Sequence, residues 1–226
     1  MRLDWEIARR GYRRYAAYPA AAAAGLFTNV FFGFVQAYIL LALFERRDEI
    51  GGYDAADTIT YVWLTQGLLA VVASFGPTWY DLALRVRSGE IAVDLQRPID
   101  LQRMLLAHDV GRAAYHLLYR GVPPFLLGAL LFDVVAPGDV PRWTLFAVSL
   151  SLAVVVSFAI RFLVNLASFW LLDWRGATLL ALVVSHLLSG LIVPLAFFPE
   201  PLDDLARVLP FASMLQLPID VFVGAA

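Results

Sequence analysis

The 226-residue chain has no cysteine, and none of its 17 basic residues is a lysine. Without cysteine there is no disulfide framework, no thiolate metal site and no cysteine nucleophile. The uniform use of arginine reads as a compositional bias of the source, not as a sign of function. Charge is scarce: Asp, Glu and Arg make up 16% of the chain, against about a quarter in soluble domains. No GxxxxGK[ST] phosphate loop occurs, so the chain does not itself hold ATP in the usual way. HExxH and GxSxG are also absent, which removes the common zinc-protease and serine-hydrolase classes.

What the chain has instead is apolar sequence, 61% of its residues, which marks an integral membrane protein. Near the N-terminus, Leu3, Trp5 and Ile7 alternate with Arg9, Arg10, Arg13 and Arg14, and Tyr12, Tyr15 and Tyr18 are interleaved. Such a segment, residues 1–19, is expected to lie along the membrane surface as an interfacial helix, its arginines near anionic lipid head groups. Nucleic-acid binding is not expected of it beside a span. An apolar run of about 25 residues, Ala20 to Phe44, comes next. It exceeds the roughly 7–15-residue core of a cleavable signal and at ~1.5 Å per residue crosses a ~30 Å hydrocarbon layer.

Four more spans are predicted: Thr58 to Phe75, a segment kinked at Pro123-Pro124 and running to Val135, Trp143 to Ile160, and Ala177 to Phe198 with late breaks at Ser189-Gly190 and Pro194. The tail, residues 199–226, carries Pro199, Pro201, Pro210 and Pro218 and reads as short amphipathic helices that re-enter the outer membrane face. The expected fold is therefore all-α, a single polytopic helical bundle over residues 1–226. With the N-terminus inside, Arg46, Arg47, Arg142 and Arg207 fall outside and the other 13 arginines inside. That asymmetry places the N-terminus in the cytoplasm.

Between the second and third spans lies Arg85 to Gln102, charged and well punctuated. Ser88 is positioned to cap a helix of a little over two turns from Gly89, and Pro98 to end it near Arg97. On it Ile91 and Leu95 share one face, while Glu90, Asp94 and Arg97 line another. Asp100 then caps a second helix through Leu101, Met104 and Leu105. The spacing fits both a solvated loop helix and a surface gripped by another protein.

Other polar residues sit inside apolar runs. Asn29 and Gln36, seven apart, share a face expected to point toward protein. His108, Asp109, Arg112, His116 and Arg120 form a stripe on a helix expected at the interface, and Arg161 is expected to snorkel to water at the cytoplasmic border. His108 and His116 beside Asp109 leave open a metal or proton-relay role, and His186 within the fifth span leaves open substrate or proton contact.

RSGEIAVDLQRPIDL (Arg87 to Leu101) and SGLIVPLAFFPEPLDDLARVLPFASMLQLPIDVFVG (Ser189 to Gly224) resemble permease subunits of type-2 ATP-binding-cassette exporters. The resemblance implies six spans, the last absent after Gly224, with an elbow helix at 1–19 and a cytoplasmic coupling loop at 81–103. It implies a separate ATPase that holds ATP and Mg, gripping Glu90, Ile91, Asp94, Leu95 and Arg97, and a second permease subunit, identical or paralogous. No cofactor is expected in this chain. Asn29, Gln36 and His186 become candidates for the substrate path. The expected setting is the bacterial cytoplasmic membrane. Two alternatives remain, a lipid-modifying membrane enzyme working through His108, Asp109, His116 or His186, and a membrane scaffold.

Overall fold

The structure, a computed structural model, describes residues 2–74, 76–171 and 173–225. Among them the regular structure is helical, apart from an isolated Ile50–Tyr53 bridge. Amphipathic helix α1 (Arg2–Ala16) lies along α6 (Leu101–His116). The two backbones touch: a Cβ added at Gly111 would sit 1.8 Å from the Ala8 carbonyl oxygen, and one at Gly11 would sit 2.3 Å from that of His108. Arg103 reinforces the contact by donating from Nε and Nη2 to Asp4 at 2.7 and 2.8 Å. The guanidinium holds the Asp4 carboxyl well below the usual carboxylate range, and the carboxylate raises Arg103 in turn.

Among the described residues, two helices are long and apolar enough to cross a membrane. The first is α2 (Pro19–Leu41) with its extension to Glu45, starting at a proline whose missing N–H costs nothing in a first turn. The second is α8 (Val140–Leu166) with its extension to Phe169, opened by Asp139 accepting from the Arg142 amide at 2.7 Å. Only 22% and 33% of their most apolar stretches are buried. Phe27, Ile39, Leu152 and Leu163 are all more than half exposed, so these faces suit lipid, not a water-facing surface.

The centre of the bundle is α3 (Ala55–Leu68), in which every residue from Thr58 to Leu68 is buried. A reciprocal pairing of Asp54 and Asp57 with each other's amides starts it. Ile59, Val62 and Trp63 pack on Ala37 and Leu40 of α2. Tyr61, Leu64 and Leu68 join Leu150, Ala153 and Val154 of α8 in the main core, with Ile219 and Phe222 from the C-terminal helix.

The remaining predicted spans are shorter or more broken than the hydropathy suggested. Helix α3 ends at Leu68, and Phe75, the predicted last residue, lies outside the described residues. Beyond Asp81–Ser88 (α4) and Ile91–Leu95 (α5), α6 widens into a π turn at Leu117–Gly121 before α7 (Val122–Leu131). The kink thus begins one turn before Pro123-Pro124, and Pro123 sits harmlessly in the first turn of α7. The fifth segment is α9 (Arg175–Leu188), 14 residues or about 21 Å, which stops at the expected Ser189-Gly190 break. The tail forms the short helices α10 (Glu200–Val208) and α11 (Gln216–Val223).

Candidate functional site

After Leu68 the chain turns on to Ala73, which adopts φ +52°. The Ser74 amide bonds Leu69 O at 2.8 Å and the Ala73 amide bonds Ala70 O at 3.3 Å, the pattern of a helix closed by a left-handed residue. Glycine usually fills that place, and alanine costs about 1–2 kcal/mol more. The helix end is buried, so its last carbonyls need partners other than water. Five consecutive carbonyls find them in side chains. Arg112 donates to Ala70 O at 2.5 Å and Val71 O at 2.7 Å, Ser157 to Val72 O, Trp79 to Ala73 O at 2.8 Å, and His186 to Ser74 O at 2.6 Å. Elements from four parts of the chain thus meet at one helix terminus.

A charged knot braces this terminus. Asp109 accepts from Arg112 Nε and Arg161 Nη2, each at 2.7 Å, and all three residues are buried. Two cations near a helix C-terminus also complement its partial negative charge. These positions correct two expectations: the Asp109, Arg112 and His116 stripe faces inward instead of lying at an interface, and Arg161 is buried instead of snorkelling. The reason is that α1 covers the outer side of α6, leaving the stripe to the bundle. No group of three or more potential metal-binding side chains converges among the described residues.

Beside the broken helix lies a groove of about 990 Å³ between α2, α3, the π turn and residues 191–193. Asn29 and Gln36 both line it, linked through α3. Asn29 donates to Gln66 O at 2.8 Å, Gln66 donates to Gln36 Oε1 at 3.0 Å, and Gln36 donates to Ile192 O at 2.7 Å. Arg120 donates to Asn29 Oδ1 at 3.0 Å. At the α1 end Tyr15 meets His116 edge-on, ring centroids 4.9 Å apart. His186, grouped with Asn29 and Gln36 from sequence, is not among the lining residues and serves the helix end instead. Gln66 and Arg120 were missed as members of this site, although an arginine in an apolar run is a signal for one.

The α4–α5 loop differs in detail from its prediction. Ser88 is the last residue of α4 rather than a cap, because Gly89 at φ +80° ends that helix. Helix α5 then has five residues, not two turns, since Glu90 is left out at its start. Ile91 is buried and Leu95 is 60% exposed, so the two do not present one face outward. Asp94 is also buried, accepting from Arg85 at 2.8 Å with Arg97 at 3.7 Å. Val93, Leu95, Glu90 and Arg97 form the exposed side. Asp100 does cap α6, accepting from the Arg103 amide at 2.8 Å.

At the opposite end, Asp220 of α11 accepts from Tyr53, from Gln216 at 2.6 Å and from Arg207 at 3.4 Å. Gln216 also accepts from Tyr61 at 2.8 Å, which ties the tail to α3.

Comparison with known families finds that the family model described as ABC-2 family transporter protein matches residues 31–226. No curated protein and no solved structure matches the chain.

Proposed function

The chain belongs to the ABC-2 transporter family, a component of an ABC transporter in a membrane, and on that premise we propose that it is the permease subunit of an ATP-driven exporter. Its ATPase is a separate cytoplasmic chain that holds ATP and Mg. A second permease subunit, identical or paralogous, completes the path. The membrane is a bacterial cytoplasmic one, with the N-terminus inside. Arg112, Arg120 and Arg161 are interior and do not count toward orientation, which leaves ten arginines inside and four outside and still favours this topology.

The observation that carries the proposal is the α4–α5 loop, a short helix whose Val93 and Leu95 are each 60% exposed while its inner face is fastened down. Exposed apolar side chains ringed by Glu90 and Arg97 fit the centre and rim of a protein contact. Physical continuity from this loop to the groove supports a mechanical role. Arg85 holds α5 to α4, Asn165 of α8 holds α4 by accepting from the Ala83 amide at 2.9 Å, Ser157 of α8 holds the end of α3, and Arg161 of α8 reaches it through Asp109 and Arg112. Closure of the ATPases would pull on α5, shift α4 and α8 together, and move the α3 terminus beside the groove.

Co-purification tests this. The chain should carry a soluble ATPase through affinity purification, and Val93→Asp with Leu95→Asp should release it without unfolding the chain. Retention of the ATPase by that double variant would remove the loop from the interface.

A further inference from the structure

The groove is unusual in what its polar atoms lack. Arg120, His116 and Thr78 are among its lining residues, and Arg120 Nε, His116 Nδ1 and Thr78 Oγ1 are buried with no hydrogen-bond partner among the described residues. Among the described residues Arg120 donates from Nη2, toward Asn29 Oδ1 at 3.0 Å and Gly25 O at 3.4 Å. Its head lies close against α2, since a Cβ at Gly25 would come within 2.5 Å of the guanidinium carbon. A buried N–H of a charged group without a partner is costly, and an anionic oxygen relieves that cost best. The described lining contains two arginines and no carboxylate.

The rest of the groove has the opposite character. Phe32, Val35 and Ile39 line its α2 side while remaining 55%, 39% and 62% exposed, so the groove runs without interruption onto the face of α2 that suits lipid. Leu191 and Val193 continue the apolar wall across from them. A volume of about 990 Å³ is at the top of the range for drug-sized ligands, ~300–1,000 Å³, and leaves room for a chain beside a head group.

We propose that this groove binds an anionic amphiphile of the phospholipid class, which enters sideways from the membrane with its phosphate against Arg120, His116 and Thr78 and its acyl chain along Phe32, Val35 and Ile39. Arginine suits the role because its planar donors match phosphate oxygens. That this amphiphile is also the transported substrate rests on the exporter reading; binding itself does not.

The test is native mass spectrometry of the full chain released from nanodiscs, titrated with dioleoylphosphatidylglycerol, dioleoylphosphatidylcholine and inorganic phosphate. One phosphatidylglycerol per chain should be retained, with phosphatidylcholine held more weakly. Arg120→Gln should weaken phosphatidylglycerol binding about tenfold, and Arg120→Lys should keep most of it. Ala21→Trp, which places an indole in the groove from an exposed position while leaving the Arg120 side chain unaltered, should exclude both lipids in a chain of unchanged melting temperature. Equal retention of the two lipids, or no effect of Arg120→Gln, overturns the proposal. So does displacement by inorganic phosphate alone, or loss of a protein dimer with Ala21→Trp, which would make a second copy the occupant. ATPase co-purification on the same samples separates the two readings: lipid bound without any ATPase leaves the site standing and the exporter assignment fallen.

Discussion

Replacing Asp109 by asparagine removes the one negative charge between Arg112 and Arg161, all three at 5% exposure or less. The knot then goes from one net positive charge to two in the interior. Each attraction, at ~4 Å and an effective dielectric constant near 20, is worth about 4 kcal/mol before desolvation. Breaking a buried pair by removing one partner costs about 3–5 kcal/mol net, because the surviving charge stays buried. The loss is compounded if Arg112 swings away, since it also caps Ala70 O and Val71 O. For a chain of this size ~2–4 °C of melting temperature accompanies each kcal/mol, so Asp109→Asn should unfold about 6–20 °C below the parent. Charge balance sets a second expectation. Arg161→Gln leaves a neutral Asp109–Arg112 pair and should be milder, and adding it to Asp109→Asn should recover part of the loss. The assay is tryptophan-fluorescence melting in a fixed detergent. A melting temperature within about 2 °C of the parent for Asp109→Asn, or a double variant below both singles, would refute the idea that charge compensation holds the helix end.

Further outcomes concern the surface and the N-terminal helix. Val93→Asp with Leu95→Asp should change stability by less than ~0.5 kcal/mol because both residues are exposed, whereas Ile91→Asp should lower it by at least ~2 kcal/mol; paired melting curves distinguish them. Gly111→Ala should push α1 off α6, since no side chain can yield for a Cβ that meets the Ala8 backbone, and amide exchange in α1 should rise while α3 stays protected. Asp4 is ionised more readily in the folded chain than in the unfolded one, because of Arg103. Its contribution to holding α1 is therefore present above the ordinary carboxylate range and lost as pH falls below it; α1 exchange should rise on acidification in the parent and rise less in Arg103→Gln.

Hydropathy and arginine count were enough to establish a multi-helix membrane protein, because a ~30 Å apolar layer leaves an unmistakable imprint on sequence. They placed α2 nearly whole and the middle of α8, from Trp143 to Ile160, and the break at Ser189-Gly190 was legible because glycine and its neighbours act locally, whereas Gly89, read as the start of a helix, ends one instead. Asn29 and Gln36 were read correctly as sharing a face toward protein because their separation is two helical turns. What sequence could not decide was which side of α6 and α8 the charges occupy. Asp109, Arg112 and Arg161 are as compatible with an interface as with an interior until it is known that α1 covers α6 through Gly11 and Gly111. Nor does anything local mark the end of α3: neither proline nor glycine stands at Ala73, and the left-handed turn persists because Arg112, Ser157, Trp79 and His186, distant in sequence, capture the freed carbonyls. The same holds for the groove and for Ile91, since burial is a property of the assembled bundle and not of spacing along one helix.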